Sequence, residues 1–326
     1  MAAITLLEAI RQGIWEEMER DQRVFLLGED IGVYGGAFKV TEGFYDRFGE
    51  ERVIDTPISE TAIVGAACGA AMMGMRPIAE MQFIDFISCA FDMLTNFAAK
   101  SRYRQGIGIP IVVRGPCGGG VHAGPFHSQN VESFFLNTPG LKMVEPSTPY
   151  DAKGLIKAAI RDDDPVLFFE HKLLYRNPKI KQEVPSDDYV VPIGKAAIRR
   201  AGRDISIITY GAMVYTALEA ANTLQQDGID VEVIDLRSLN PLDREAVGDT
   251  VKKTNKVIIL HEATRTGGIA GELSAIINED AFDHLDGPIV RVTSIDTPVP
   301  YAPPLEEYFL PQVDDVLKAA RSLAAY

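Results

Sequence analysis

Short runs of β-branched and apolar residues alternate with longer amphipathic segments along nearly the whole chain. VFLLGED (24–30), RPIAEMQF (76–83), IPIVVRG (109–115) and PVLFFEH (165–171) read as strands. Residues 4–20, 86–104 and 149–161 have helical length, and Ile4, Leu7, Ile10, Ile14 and Met18 recur on one face of the first. A run such as IPIVVRG needs apolar cover on both sides of its sheet. Helices laid on both faces of a parallel sheet supply it, so the fold class is α/β.

The second half repeats the pattern on a smaller scale. DISIITYG (204–211), IDVEVIDLR (229–237), NKVIILHEA (255–263) and PIVRVTSID (288–296) read as strands, with helices over 212–228 and from about 267. Between the halves, NPKIKQEVPSDDYVVPIGK (177–195) is polar, carries three prolines and breaks the alternation. The expected organisation is a first parallel-sheet domain over 1–180, a linker over 181–200 and a smaller α/β domain over 201–326. TGGIAGE (266–272) follows a strand and opens a helix, but it lacks the G-x-G-x-x-G spacing that admits a pyrophosphate.

Charge and cysteine content exclude several classes. With 32 basic against 46 acidic residues the net charge is −14, which opposes binding to nucleic acid or anionic lipid. The N-terminal stretch shows no basic leader ahead of an apolar run. Cys68, Cys89 and Cys117 are odd in number and form no C-x-x-C pair, so neither a disulfide framework nor a zinc site is expected, and a cytoplasmic location is. No metal constellation is visible.

Chemistry concentrates in three places. In DTPISETAIVGAACGAAMMGM (55–75), Glu60 precedes fifteen residues, Thr61 to Met75, without a charge. That run is shorter than the ~20 residues a bilayer needs and reads as a buried helix capped by Ser59. Glu60 either favours the helix dipole from the first turn or is a desolvated acid poised to exchange a proton. Small residues at Gly65, Ala66, Gly69 and Ala70 predict a tight helix–helix contact between subunits and an almost inaccessible helix. RGPCGGGVHAGPFHSQN (114–130) holds His122 and His127 beside a glycine run; each is a candidate base or a structural loop histidine. LLGEDIGVYGG (26–36) places Glu29 and Asp30 at the end of a strand, where open α/β sheets bind ligands.

LLGEDIGVYGGAFKVTEGF, RVIDTPISETAIVGAACGAA, RPIAEMQF, HSQN, PSTPYDAKGLIKAAIRDDDP and VEVIDLRSLNPLD resemble the β subunit of the thiamine-diphosphate-dependent decarboxylase of 2-oxo acid dehydrogenases, from about residue 4 to 326. The resemblance implies a transketolase-like fold, with a pyrimidine-binding domain followed by a transketolase C-terminal-like domain. It implies that Glu60 hydrogen-bonds a ring nitrogen of the cofactor's aminopyrimidine and stabilises the imino tautomer, which then takes the thiazolium proton. It further implies that Phe86 packs against that ring, that Glu29, Ile58, Ser59 and Gln82 line the cofactor, and that His127 assists acyl transfer to a lipoyl group. In some relatives a monovalent cation sits near Ile111, Ala159, Asp162 and Asp164. No G-D-G segment occurs here, so the Mg²⁺ that holds the diphosphate is expected on an α subunit of an α2β2 tetramer. A lipoyl acyltransferase is the further partner. The substrate is left open between pyruvate and branched-chain 2-oxo acids; acetoin dehydrogenase and a non-catalytic assembly subunit are the alternatives.

Overall fold

A computed structural model describes residues 3–326 as two compact units. The first runs to Cys117 and resumes over Phe134–Ile193; the second comprises Gly118–Ser133 and Gly194–Tyr326. The changeover at Ile193 and Gly194 falls inside the stretch expected as a linker. Residues 118–133, expected in the first domain, fold with the second unit instead.

In the first unit, β1 (Val24–Gly28), β2 (Val53–Asp55), β3 (Arg76–Glu80), β4 (Val112–Cys117), β5 (Lys142–Val144) and β6 (Val166–His171) line up in the order β2-β1-β3-β4-β6-β5. Every neighbouring pair is parallel. All carboxyl ends therefore meet at one edge. Strands β1, β4 and β6 are buried at every position, which is why they read as continuous apolar runs.

Helix Leu6–Arg20 starts at a capping box, in which the Thr5 hydroxyl accepts the Glu8 N–H and the Glu8 carboxylate accepts the Thr5 N–H. It packs on helix Pro149–Arg161 so closely that a β-carbon at Gly13 would lie 2.4 Å from Ile156 Cγ2. The proline-rich stretch after residue 177 is a strap on this pair. Gln182 bridges to Ile4, Tyr189 stacks on Tyr150 at 4.6 Å, and Asp188 pairs with Lys157 at 2.6 Å and Arg161 at 2.7 Å. Its prolines prevent a ladder, yet Val184 and Val191 are buried and hold it down.

Two expectations need correction. Residues 86–104 do not form one helix: a 3₁₀ segment, Ile84–Ala90, leads into a π segment, Met93–Ala98, and then α-helix Ala99–Gln105. Helix Glu60–Met72 is also not inaccessible within the chain. It buries Ile63, Val64, Ala67, Cys68 and Ala71, but Ala62, Ala66, Gly69 and Met72 are exposed. Its residues are small or apolar all round, and the first unit covers only one face.

The second unit has β7 (Ala197–Arg200), β8 (Ile205–Thr209), β9 (Val231–Asp235), the short β10 (Ser238–Asn240), β11 (Val257–Thr264) and β12 (Val290–Ser294). Its sheet runs β12-β11-β8-β9-β7, parallel except for β7 against β9. Helix Val313–Ala324 buries Val316, Leu317, Ala320 and Leu323 as one stripe. Among the described residues no helix is long and apolar enough to cross a membrane.

Candidate active site

At the carboxyl edge of the first sheet, Glu29 follows β1 directly and is only 7% exposed. Burial pushes its carboxyl above the usual carboxylate range, the neighbouring Glu60 charge adds to this, and the Ser59 N–H it accepts partly offsets both. Glu60 is the first residue of helix Glu60–Met72 and is half-buried. The two carboxyl groups thus share one edge with unequal environments.

The loop between β1 and β2 is pinned so that this edge keeps its shape. Asp55 accepts the Gly32 N–H at 2.6 Å, and any side chain at Gly32 would strike that carboxylate. Thr41 Oγ1 donates to the Ile31 carbonyl, and Gln82 Nε2 donates to Asp30 Oδ2 at 3.1 Å. Ser59 occupies the N-cap position, but its hydroxyl donates to the Pro57 carbonyl at 3.0 Å and caps nothing. Its useful group is the backbone N–H on Glu29.

Ile58 projects outward, 83% exposed. Phe86 is half-buried in Ile84–Ala90, which Thr61 Oγ1 ties to the Glu60 helix through the Cys89 carbonyl at 2.5 Å. Glu29 is thus tied to Ser59 at the head of the Glu60 helix, the segment that carries Phe86 is tied to the same helix, and Gln82 joins the β1–β2 loop through Asp30.

Below this edge lies a charged network that the strand patterns did not reveal. Arg114 on β4, 1% exposed, binds Glu170 on β6 through Nε and Nη2 at 2.5 Å each, and also pairs with Glu80 on β3. Tyr175 donates to Glu170 Oε2 at 2.5 Å. Burial alone would lower the guanidinium's pKa, but Glu170 and Glu80 hold it well above its ordinary value. Burial raises the Glu80 carboxyl against the pull of Arg114. Two acids thus share one buried cation.

Of the residues that the resemblance associates with a monovalent cation, Asp162 and Asp164 lie at the turn after helix Pro149–Arg161, Ala159 lies in its last turn and Ile111 precedes β4. Asp162 is held by Lys142 Nζ at 2.6 Å, Asp164 by Arg102 Nε at 2.5 Å, and the Arg161 and Asp162 carbonyls by Arg76 Nη2 at 2.7 Å. Cationic side chains already serve this turn.

His127 belongs to the second unit, half-buried, its N–H donating to the Gly124 carbonyl. The glycine loop around it is anchored by two buried acids that sequence reading missed. Glu262, 5% exposed, accepts the Gly119 N–H at 2.6 Å; Glu306, fully buried, accepts those of Gly120 and His122 at 2.9 and 3.0 Å. Neither acid has a local signature, since each serves a loop more than a hundred residues earlier. The Tyr301 ring packs where a side chain at Gly124 would be, and that glycine has a φ of +71°.

Two parallel-sheet units in tandem, with an acid pair at the carboxyl edge of the first, define a transketolase-type chain. Residues 2–178 match the model of the transketolase pyrimidine binding domain, and residues 194–316 that of the transketolase C-terminal domain. The fold is shared with a split gene transketolase described as an inactive beta4 tetramer (TM-score 0.80, 23% identity, 99% of both chains). The chain is 56% identical to the 2-oxoisovalerate dehydrogenase subunit beta of Bacillus subtilis, covering 100% of both. It is 44% identical to that organism's pyruvate dehydrogenase E1 component subunit beta, again over 100% of each. It is 47% identical to a chloroplastic pyruvate dehydrogenase E1 component subunit beta-2 of Arabidopsis thaliana, over 98% of this chain and 79% of that one. The chain belongs to the family of 2-oxo acid dehydrogenase β subunits.

Proposed function

We propose that this chain is the β subunit of a 2-oxo acid dehydrogenase, acting in the cytoplasm with an α subunit in an α2β2 assembly and passing its acyl group to the lipoyl group of an acyltransferase component. The observation that carries this reading is Glu60, half-buried at the start of an apolar helix and beside the buried Glu29. Bound thiamine diphosphate supplies a carbon acid and an electron sink.

The residues fit one end of that cofactor. Glu60 would hold a ring nitrogen of the aminopyrimidine by a hydrogen bond, and Phe86 would pack on the ring. Glu29, Ile58, Ser59 and Gln82 would line the same place. Because Glu29 is buried and lies beside Glu60, its carboxyl gives up its proton less readily than an exposed carboxylate does. The other end does not fit. Glu29, Asp30, Asp55 and Glu60 are all acids, and a diphosphate would be repelled there. The cations and the Mg²⁺ belong to the α subunit in this reading, and His127 serves the acyl acceptor.

The higher identity to the 2-oxoisovalerate than to the pyruvate subunit of one organism, 56% against 44%, favours branched-chain substrates. The test is reconstitution with an α subunit and a substrate panel. 2-Oxoisovalerate should exceed pyruvate in kcat/KM by about tenfold or more, the range that extra methyl groups in an apolar pocket produce. Glu60→Gln should assemble normally and lose at least about 100-fold in decarboxylation. Full activity of that variant would leave the chain only an assembly role.

A further inference from the structure

Glu306 has a third contact beyond the two that anchor the loop. Its Oε2 lies 2.5 Å from His122 Nδ1, while the imidazole remains 50% exposed. His122 itself has a φ of +58°. A non-glycine residue adopts that conformation at a cost, and keeps it only where the surroundings impose it. Here one buried carboxylate grips the Gly120 N–H, the His122 N–H and the His122 ring together.

Anchoring the loop needs only the two backbone bonds; the ring contact does something different. A carboxylate can only accept, so the nitrogen facing it must carry the proton. Nδ1–H therefore points at Glu306, and the neutral ring keeps its lone pair on Nε2, the nitrogen turned away from the carboxylate. A buried acid fixing the tautomer of a partly exposed imidazole is how a general base is oriented.

We propose that Glu306 is a positioning residue for His122, and that His122 Nε2 exchanges a proton with the acyl acceptor. The proposal rests on the function proposed above. When a dithiolane accepts an acyl group at one sulfur, the electron pair of the new C–S bond comes with the acyl donor and the S–S pair leaves on the second sulfur. That sulfur needs one proton. Nε2, having first taken a proton from solvent, gives it to that sulfur, and the ring returns to the neutral form with Nδ1–H still on Glu306.

The test uses the full chain with ¹⁵N-labelled histidine, and His122→Gln identifies the resonances of His122. The wild type should show a protonated Nδ1 at this ring. In Glu306→Gln the amide oxygen can still accept the Gly120 N–H, but its NH₂ donates to Nδ1 and drives the proton to Nε2. The reconstituted complex of either variant should acylate lipoyl groups at least about tenfold more slowly. The double variant should be little slower than the single ones, because the residues act as a unit. A wild-type ring protonated on Nε2 when neutral would overturn the proposal even if Glu306→Gln fails to fold. So would losses that multiply in the double variant. If the wild-type complex releases no carbon dioxide from any 2-oxo acid, the proposed function fails, and with it the role of His122 toward the acceptor.

Discussion

At the scale of single residues, the most demanding position is Arg114. Its guanidinium is 1% exposed and serves two acids and, through Glu170, the hydroxyl of Tyr175. Removing one partner from a buried ion network leaves charge with nowhere to go. Arg114→Met should cost about 3–5 kcal/mol of stability. Adding Glu170→Gln should recover a substantial part, and urea midpoints of the single and double variants check both. The contrast with Glu60 shows what a sequence can disclose at this scale. An acid ahead of fifteen uncharged residues is conspicuous because its neighbours are wrong for it. Arg114 sits at the end of a β-branched run, where a charge reads as the strand leaving the core. Its partners Glu80 and Glu170 lie on strands distant in sequence, so only sheet order brings them together. Glu306 is the same case: PPLEEYF marks a short helix and gives no sign of which glutamate turns inward.

Among the elements, those specified by local pattern were legible. Helix Leu6–Arg20 was visible through its periodicity and helix Pro149–Arg161 through its length, and most of the parallel strands were visible as apolar runs. Residues 84–105 were not, because their composition suits a helix, while the observed 3₁₀ and π turns depend on how the segment meets its neighbours. Small residues on helix Glu60–Met72 leave room for close approach, but no part of this chain fills that room at Gly69, and a repeat of such residues cannot say which partner would. The chain covers one face, and Gly69 on the other has no atom within 4 Å of where a β-carbon would stand. That separates two roles experimentally. Gly69→Leu should leave the isolated chain as stable or stabilise it by about 0.5–1 kcal/mol, since leucine is the better helix former. If the small face seats another chain, the same change should prevent assembly with the α subunit. Thermal unfolding of the chain alone and sedimentation of the mixture distinguish these effects.

At the scale of the molecule, the two units carry buried titrating groups of opposite sign. In the second, His261 on β11 is fully buried and packed against Gly268, where a β-carbon would lie 2.6 Å from the ring. Burial pushes its pKa from 6.5 down to about 4. Between those values the unfolded chain binds a proton that the folded one refuses. Stability contributed by the neutral ring is complete above about pH 6.5 and is lost as pH falls toward about 4, a change on the order of 3 kcal/mol. In the first unit Glu29 behaves the other way. Its carboxyl is raised, so the folded form holds a proton that the unfolded chain releases, and the cost of ionising it beside Glu60 disappears as pH falls through its folded value. Acid should therefore loosen the second unit before the first. Hydrogen exchange followed by peptide mass from neutral to about pH 4 should show protection falling around β8 and β11 while β1 and β3 hold. His261→Gln should flatten the loss in the second unit without affecting the first, and Glu29→Gln should remove the opposite slope in the first alone. Equal loss of protection in both units of the wild type, or a His261→Gln profile unchanged with pH from wild type, would mean that other groups govern acid unfolding.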